Sequence, residues 1–373
     1  MARYFSNSDW INTPISALTR EPALQRYVHN LFTSGAGPGM PQGHFALPTT
    51  EYSNPIVDAS TATGTIPVYQ RDSVANRSAM DGSAWNLATF GMKSGDRIPW
   101  SWSWLPATGN DALLQIVDPA HDQAFDVWMC DRAPWIWNYL TAIPAMAANG
   151  WASGIGVGTV FKYSGIASGS SAPGGGRIGS RGCGLHKLAG TITLAALEAK
   201  KLDFMSGIYV ANPMFGPTMV TPETNWQDPQ AGLTKGWYGK GAAVRLEHKD
   251  PATLNLGGVT GQAATDAVRA LSLPSGIRFA VDATPAQIEA WITSRGYTGA
   301  RADTARTIAT GWVQYGFGVM ETEGPSSHLV VEMEGALNQP TRAANLGLKV
   351  GQYDDLMDSF ATEQNTFAVR PAA

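Results

Sequence analysis

Short segments in which apolar and polar residues alternate run through the sequence from Tyr52 to Tyr139. A period of two is typical of a strand that buries one face. The segments cover residues 65–69, 83–88, 98–105, 113–117, 124–129 and 135–139, and turn signals such as Asp81-Gly82 separate them. Strands at this regular spacing predict a mainly β protein with a few helices, built on a β-sandwich or jelly-roll-like core of antiparallel sheets.

Helix signals interrupt this pattern at four places. Residues 23–32 have their apolar residues on one helical face, and residues 193–201 begin with a capping-type Thr and are rich in strong helix formers. The clearest signal is the capping box of Thr284 and Gln287, with Pro285 at the first helical position, which predicts a helix ending at Gly296. A fourth helix is predicted over residues 302–314, and strands over residues 317–322 and 329–333 follow it.

The pattern divides the 373 residues into three parts. We expect an N-terminal arm with a short helix over residues 1–40, a β-sandwich domain with helical insertions over residues 41–338, and a C-terminal tail over residues 339–373. A Gly/Ser-rich stretch over residues 164–184 lies inside the central part. Such a composition is typical of a flexible linker, whereas a loop of this length in a compact domain is commonly functional. Both interpretations stay open.

The charge of the chain argues against two classes of partner. The net charge is −4 and only 15% of the residues are charged. No run of Lys and Arg exceeds two residues, so we expect no binding to nucleic acid or to an anionic membrane surface. No apolar stretch approaches the roughly 20 residues needed to span a bilayer. The N-terminus lacks the pattern of a secretory signal, so we expect synthesis and retention in the cytoplasm.

Cysteine and histidine usage indicates neither a metal site nor a cofactor. The two cysteines, Cys130 and Cys183, are too few for a disulfide framework, and we expect two buried thiols, with a single bridge as the alternative. The six histidines are scattered singly, which disfavours zinc. Phosphate-binding loops, nucleophile elbows and calcium loops are absent from the sequence, and we expect no cofactor.

Two aromatic triplets form the sharpest local pattern. One consists of Trp100, Trp102 and Trp104, and the other of Trp135, Trp137 and Tyr139. On a strand, residues at this spacing share one face. Flat aromatic rings in a row can stack on a chain of sugar rings, and they equally well fill the inner face of a sandwich. We favour the core for most of the six and a glycan-binding surface for the rest.

Two carboxylates are candidates for catalysis. Asp126 lies in an otherwise apolar strand, on the face opposite Phe125 and Val127, and Glu332 and Glu334 alternate on the last predicted strand. Glycoside cleavage needs two carboxyl groups that flank the scissile bond. Asp126 and Glu332 are our candidate pair, although a solvated sheet face explains the same pattern.

Arg181 is the one arginine of the segment Gly179-Ser-Arg-Gly-Cys-Gly184. A guanidinium in a glycine-rich loop can bind a carboxylate or phosphate of a ligand with its planar fork. It can also bind the carbonyls of its own loop, which is the commoner role. The sequence does not decide between the two.

Several segments, in one order, resemble a family of minor tail proteins of actinophages and secreted actinobacterial proteins. They span residues 4 to 335, and each is a weak motif taken alone. They are Phe5-Ser-Asn-Ser-Asp-Trp-Ile-Asn-Thr-Pro-Ile15, Ile66-Pro-Val68, Asp118-Pro with Phe125-Asp-Val-Trp128, Gly179-Ser-Arg-Gly-Cys-Gly-Leu-His-Lys-Leu-Ala-Gly-Thr-Ile192, Gly241 to Leu246, and Gln314-Tyr-Gly-Phe-Gly-Val319. The chain departs from the family pattern at Ile11, which is inserted, at Asp126 in place of Glu, and at Phe204 in place of His.

The resemblance implies a structural virion component, a minor tail or tail-tip protein that is assembled in the host cytoplasm and contacts glycan of the actinobacterial envelope. The contact residues would be Trp128, Arg181 and exposed members of the two aromatic triplets. The N-terminal arm and the C-terminal tail would dock to other tail proteins, and we expect a homo-oligomer. The alternatives are a glycan-cleaving enzyme that uses Asp126, which we consider the lesser hypothesis, and a secreted carbohydrate-binding protein.

Overall fold

The computed structural model describes residues 3–34, 44–70, 87, 91–109, 111–130, 154–171, 180–181, 185–211, 215–219, 263, 273–323, 328–351 and 353–371. Its helices are α1 Arg26–Ser34, α2 Leu194–Glu198, α3 Pro285–Ser294, α4 Gly299–Gln314 and α5 Pro340–Asn345. Its strands are β1 Leu18–Arg20, β2 Phe45–Pro48, β3 Ile56–Asp58, β4 Gly64–Gln70, β5 Arg97–Trp100, β6 Leu114–Asp118, β7 Gln123–Trp128, β8 Ile155–Val157, β9 Thr159–Ser164, β10 Ser206–Ala211, β11 Phe215–Met219, β12 Leu273–Ser275, β13 Arg278–Val281, β14 Phe317–Glu323, β15 Leu329–Val331, β16 Tyr353–Asp354 and β17 Thr366–Pro371.

The described strands form sheets of eight, four, three and two strands. The largest has the order β1-β17-β13-β14-β10-β15-β2-β16, the next β3-β6-β7-β9, and the third β5-β4-β8. The mainly β, sandwich-like fold class predicted from the sequence is confirmed. The sheets are mixed rather than purely antiparallel, because β10 pairs in parallel with β14, β15 with β2, β3 with β6 and β4 with β8. Alternation is typical of antiparallel sheets with one solvated face, but it does not fix the direction of an individual strand pair.

Three hydrophobic clusters show how the layers are stacked. The first joins the helices to one face of the eight-stranded sheet, with Trp312 of α4 against Phe317 of β14. The second lies between the eight-stranded and four-stranded sheets and contains Met320 and Phe161. The third lies between the four-stranded and three-stranded sheets. The four-stranded sheet is therefore covered on both faces, and a polar residue on either face of β7 points into protein.

The predicted helices are confirmed where local capping signals are strong. Thr284 caps α3 through the N–H of Gln287, whose side chain accepts a hydrogen bond from the N–H of Thr284 in return. Pro285 occupies the first turn, and Gly296 follows the helix with φ of +67°. Thr193 caps α2 through the N–H of Ala196. These contacts are made within one turn of the helix, so the sequence alone specifies them.

The strand predicted over residues 98–105 is wrong after Trp100. Here β5 ends, and the N–H of Trp104 bonds the carbonyl of Ser101 at 3.1 Å, which closes a turn. The hydroxyls of Ser101 and Ser103 lie 2.8 Å apart. Two serines that bond each other and the local backbone favour a turn over a strand, and period-two alternation does not reveal this competition. Residues 83–86, 88 and 135–139, which belong to two other predicted strands, lie outside the described residues.

Residues of the predicted arm and of the predicted tail contact the rest of the described protein. Tyr4, Phe5 and Ile11 belong to the cluster between the eight-stranded and four-stranded sheets. The side-chain amide of Asn12 donates to the carbonyls of Tyr4, Phe5 and Ser6. Strand β17 of the tail lies inside the eight-stranded sheet, between β1 and β13. Backbone hydrogen bonds to distant strands order both segments, and their local composition gives no sign of those partners.

Candidate functional site

Both candidate carboxylates face the interface between the eight-stranded and four-stranded sheets. Asp126 lies in β7, and Glu332 follows β15 directly. Between them runs the segment around Arg181 and residues 185–191, which joins the two sheets. We call the polar side chains gathered here the interlayer network: Asn54, Asp126, Tyr163, Ser180, Arg181, His186, Lys187, Thr191 and Glu332.

Asp126 is fully buried and held by the loop. One carboxylate oxygen accepts hydrogen bonds from the hydroxyl of Ser180 and from the N–H of Lys187, the latter at 3.3 Å. Tyr163 adds a side-chain hydrogen bond. Burial raises the pKa of Asp126, and the three hydrogen bonds oppose that rise. Asp126 therefore anchors the loop to β7 and is not on a solvated sheet face.

Glu332 is also fully buried and forms an ion pair with Arg181, both side chains having 0% exposure. Its other oxygen accepts from the amide of Asn54 at 3.2 Å and from the hydroxyl of Thr191 at 3.1 Å. The ammonium of Lys187 lies 3.6 Å from Glu332. A buried carboxylate is stable only when it is paired and hydrogen-bonded, and Glu332 meets both conditions.

Arg181 binds its own loop. Its Nε donates to the carbonyl of His186 at 3.0 Å, and one Nη donates to the carbonyls of Lys187 and Ala189. The same nitrogen lies 3.3 Å from the hydroxyl of Thr191. Arg181 is 2% exposed, so its guanidinium lies in the protein interior, where it binds backbone carbonyls of the segment that follows it. Of the two roles that the sequence left open, the structure displays the structural one.

Lys187 links the two carboxylates of the network. Its N–H binds Asp126, and its ammonium faces Glu332 and, at 3.5 Å, Glu321. The ammonium also lies 4.8 Å from the ring centre of Tyr209. Burial alone would lower the pKa of Lys187, but Tyr209 and Glu321 outweigh it and the pKa is raised. Lys187 is therefore a buried cation that compensates the carboxylates around it.

His186 is packed among aromatic rings in the network. Its ring centre lies 3.6 Å from that of Tyr163, edge to face, and 5.3 Å from that of Phe5. Burial, helped by the positive charge of Arg181, lowers the pKa of His186 to about 3. The imidazole is neutral near pH 7 and packs as an aromatic ring. The sequence marks His186 only as a single histidine, so it could not be assigned a place in this network.

Among the described residues, this arrangement connects the two sheets, and Asp126 and Glu332 are buried within it. In the described contacts Asp126 and Glu332 meet through Lys187 and the loop rather than directly. A general acid or base must reach the substrate within hydrogen-bonding distance. Within the described ranges no group of three acidic, histidine or cysteine side chains is placed to hold a metal ion.

The first aromatic triplet combines two core residues with one surface residue. Trp100 and Trp104 are 3% and 5% exposed and belong to the cluster between the four-stranded and three-stranded sheets, whereas Trp102 is 48% exposed. The ring of Trp102 packs edge to face on Trp100, with centres 5.7 Å apart, and Trp104 lies 6.2 Å from Trp100. The turn thus exposes the indole of Trp102, which packs against the buried ring of Trp100.

The remaining candidates divide between the interior and the residues outside the description. Trp128 is partly buried against the second cluster, and its indole N–H donates to Asp111 at 3.0 Å. Trp135, Trp137 and Tyr139 lie outside the described residues. Of the two exposed aromatic residues that the structure describes, Trp102 lies in the turn after β5 of the three-stranded sheet, and Tyr353 lies in β16 of the eight-stranded sheet.

No protein-family model, curated protein or solved structure matches this chain. Among the described helices there is none with both the length and the apolar character needed to cross a bilayer.

Proposed function

We propose that the protein is a non-catalytic structural component of a phage tail, a minor tail or tail-tip protein that contacts envelope glycan through the surface at Trp102. The observation that carries the proposal is the contrast between buried and exposed candidates. Asp126 and Glu332 have no exposure and are bound by the interlayer network, whereas Trp102 is 48% exposed. The candidate residues for chemistry are inside the protein, and one candidate for stacking is outside.

The burial of the carboxylates favours a binding protein over a glycan-cleaving enzyme. A glycosidase needs an acid and a nucleophile or base on either side of a bound sugar. Here Arg181 occupies one side of Glu332, and Ser180 and Lys187 occupy an oxygen of Asp126. Admission of a sugar would require the network to open and would leave several charges unpaired.

The geometry at Trp102 suits a weak, repeated contact with sugar rings. An indole that is fixed by neighbours loses little conformational freedom when a ligand stacks on it. Trp100 provides that fixation, and Trp104 in turn packs on Trp100. A single stacking contact is modest, and a homo-oligomer that repeats Trp102 several times multiplies it by avidity.

The resemblance to minor tail proteins supports the virion assignment through residues of the fold. Within its longest motif, Arg181, Leu185 and Leu188 are buried. Gly190 has φ of +75°, and a Cβ there would lie 2.6 Å from the backbone nitrogen of Gly207. Packing restricts which residues fit at these positions. The motif therefore supports an architecture shared with the minor tail proteins rather than a shared reaction.

The test is a binding and release assay with cell-wall arabinogalactan. We expect the wild-type protein to sediment with the polysaccharide and to release no oligosaccharide. Trp102→Ala should lose binding, while Tyr353→Ala, a matched loss of an exposed aromatic at 36% exposure, should retain it. Oligosaccharide release that disappears in Asp126→Asn would establish the enzyme instead. Particles of a phage that encodes the chain should carry it at the tail tip in immunogold micrographs.

A further inference from the structure

A cleft of about 220 Å³ opens between the end of α2 and one face of α4, away from the interlayer network. The residues of its lining that matter here are Lys200, Lys201, Leu202, Thr310, Gly311 and Gln314. Gly311 sets the depth, because a Cβ there would lie 2.6 Å from a methyl carbon of Leu202. The side chain of Leu202 forms the apolar floor of the cleft, and hydroxyl, amide and charged side chains form its walls.

The backbone at the rim of the cleft is held in an unfavourable conformation. Helix α2 ends in a Schellman motif, in which the N–H of Lys201 bonds the carbonyl of Ala196 and the N–H of Lys200 bonds that of Leu197, both at 3.0 Å. Lys200 takes the left-handed position of this motif, with φ of +51°. Glycine is the usual residue there because a side chain is strained.

The ion pair of Lys200 does not explain why a lysine occupies the strained position. Its ammonium lies 2.7 Å from Asp303, with side-chain exposures of 67% and 41%. An exposed pair of this kind contributes little to stability, no more than the strain it accompanies. What the lysine adds is an ammonium at the rim. Each ammonium has three donors, and the described contacts of Lys200 and Lys201 use one each.

The charge around the cleft has a sign opposite to that of the whole chain. Four cations and three carboxylates pair with one another in the described residues: Arg3, Lys200, Lys201 and Arg306 with Asp203, Glu289 and Asp303. The chain as a whole has a net charge of −4. A local surplus of positive charge with spare N–H donors attracts an anion.

We propose that this cleft binds a hydroxylated anion of monosaccharide size, one sugar unit that bears a carboxylate or phosphate. The ammonium groups of Lys200 and Lys201 bind the anionic group, and Thr310 and Gln314 bind hydroxyls above the Leu202 floor. The site is independent of Trp102, so the failure of either proposal leaves the other standing.

The test is isothermal titration calorimetry of the full chain at low ionic strength with four probes. We expect saturable binding of glucuronate or of glucose 6-phosphate, and weaker or no binding of glucose and inorganic phosphate. Lys200→Gly should lower the affinity by about tenfold, since it removes a charge-assisted hydrogen bond, and should also raise the unfolding midpoint because glycine relieves the strain. Thr310→Trp should abolish binding by filling the cleft without a change in charge.

Lys349→Ala is the matched control, because it removes an exposed lysine in a 2.6 Å ion pair with Asp355 that does not line the cleft. It should leave the affinity unchanged. A purely structural Lys200 predicts the reverse outcome, in which Lys200→Gly leaves affinity unchanged, and this overturns the proposal. So does the absence of binding to both anionic sugars, or inorganic phosphate binding as tightly as glucose 6-phosphate.

Discussion

The ion pair between Arg181 and Glu332 should be the most costly polar contact to break in the described part of the molecule. Both side chains have 0% exposure, and Arg181 also donates to three carbonyls of its own loop. Arg181→Met removes the cation and leaves Glu332 buried beside a single ammonium at 3.6 Å. Removal of one partner of a buried pair typically costs 3–5 kcal/mol, so we expect a loss of about 4 kcal/mol in the free energy of unfolding.

The double variant separates the pair from the packing around it. Glu332→Gln removes the charge that Arg181→Met strands, so the double variant should be more stable than the sum of the two single effects predicts. We expect a coupling free energy of about 2 kcal/mol, within the usual range for residues in contact. Urea unfolding followed by tryptophan fluorescence measures all four species, and the slope with denaturant shows whether they unfold alike.

A matched pair on the surface provides the control. Arg342 and Glu198 form a 2.6 Å ion pair with side-chain exposures of 32% and 46%. The same cycle there should give a coupling below about 1 kcal/mol, because solvent screens exposed charges. The reasoning would be refuted if Arg181→Met cost less than about 1 kcal/mol, or if the two cycles gave equal coupling.

Three further outcomes follow from burial. The pKa of His186 is lowered from 6.5 to about 3. The neutral imidazole therefore contributes stability above pH 6.5, and up to about 5 kcal/mol of the free energy of unfolding is lost as the pH falls toward 3. In unfolding experiments across this range, the free energy of unfolding of His186→Phe should depend less on pH. Burial raises the pKa of Glu334 from 4.5 to about 7. The stability that its protonated form contributes is complete below pH 4.5, and the free energy of unfolding decreases by up to about 3 kcal/mol as the pH rises through 7. Glu334→Gln should remove this decrease, and the same dependence on pH in the variant would contradict the prediction. In thermal unfolding experiments, Gly316→Ala should destabilise the fold by more than about 2 kcal/mol, because φ is +71° and the new Cβ would lie 2.0 Å from the carbonyl oxygen of Phe279. Gly351 also has a positive φ but open space around it, so Gly351→Ala should destabilise the fold less.

The sequence predicts features of this fold in proportion to how local their causes are. The Thr284–Gln287 capping box lies within four residues, and the structure has it as predicted. The strand expected beyond Trp100 is wrong because the serines between the tryptophans bond one another, a competition that alternation does not show. The direction of strand pairing and the position of β17 depend on partners far away in sequence, which a one-dimensional pattern does not specify.

The candidate site follows the same rule. The ion pair joins Arg181 and Glu332, which are 151 positions apart in the sequence. The sequence offered both as candidate functional residues. For Arg181 it also left binding to its own loop open, whereas for Glu332 the alternative was a solvated sheet face, and Glu332 is buried. Asn54 lies in none of the quoted motifs. His186 and Lys187 lie within the motif of residues 179–192, but the motif gave neither of them a role.

An acidic residue inside an apolar strand therefore has a physical interpretation that precedes any catalytic one. Asp126 alternates with Phe125 and Val127, which pack toward the three-stranded sheet. Its own face must then be solvated or be covered by another layer that supplies donors. In this molecule Ser180 and Lys187 supply them. An uncompensated buried charge costs far more than the hydrogen bonds return. In urea unfolding experiments, Asp126→Leu should therefore destabilise the protein less than Ser180→Ala combined with Tyr163→Phe, which keeps the carboxylate and removes its two side-chain donors.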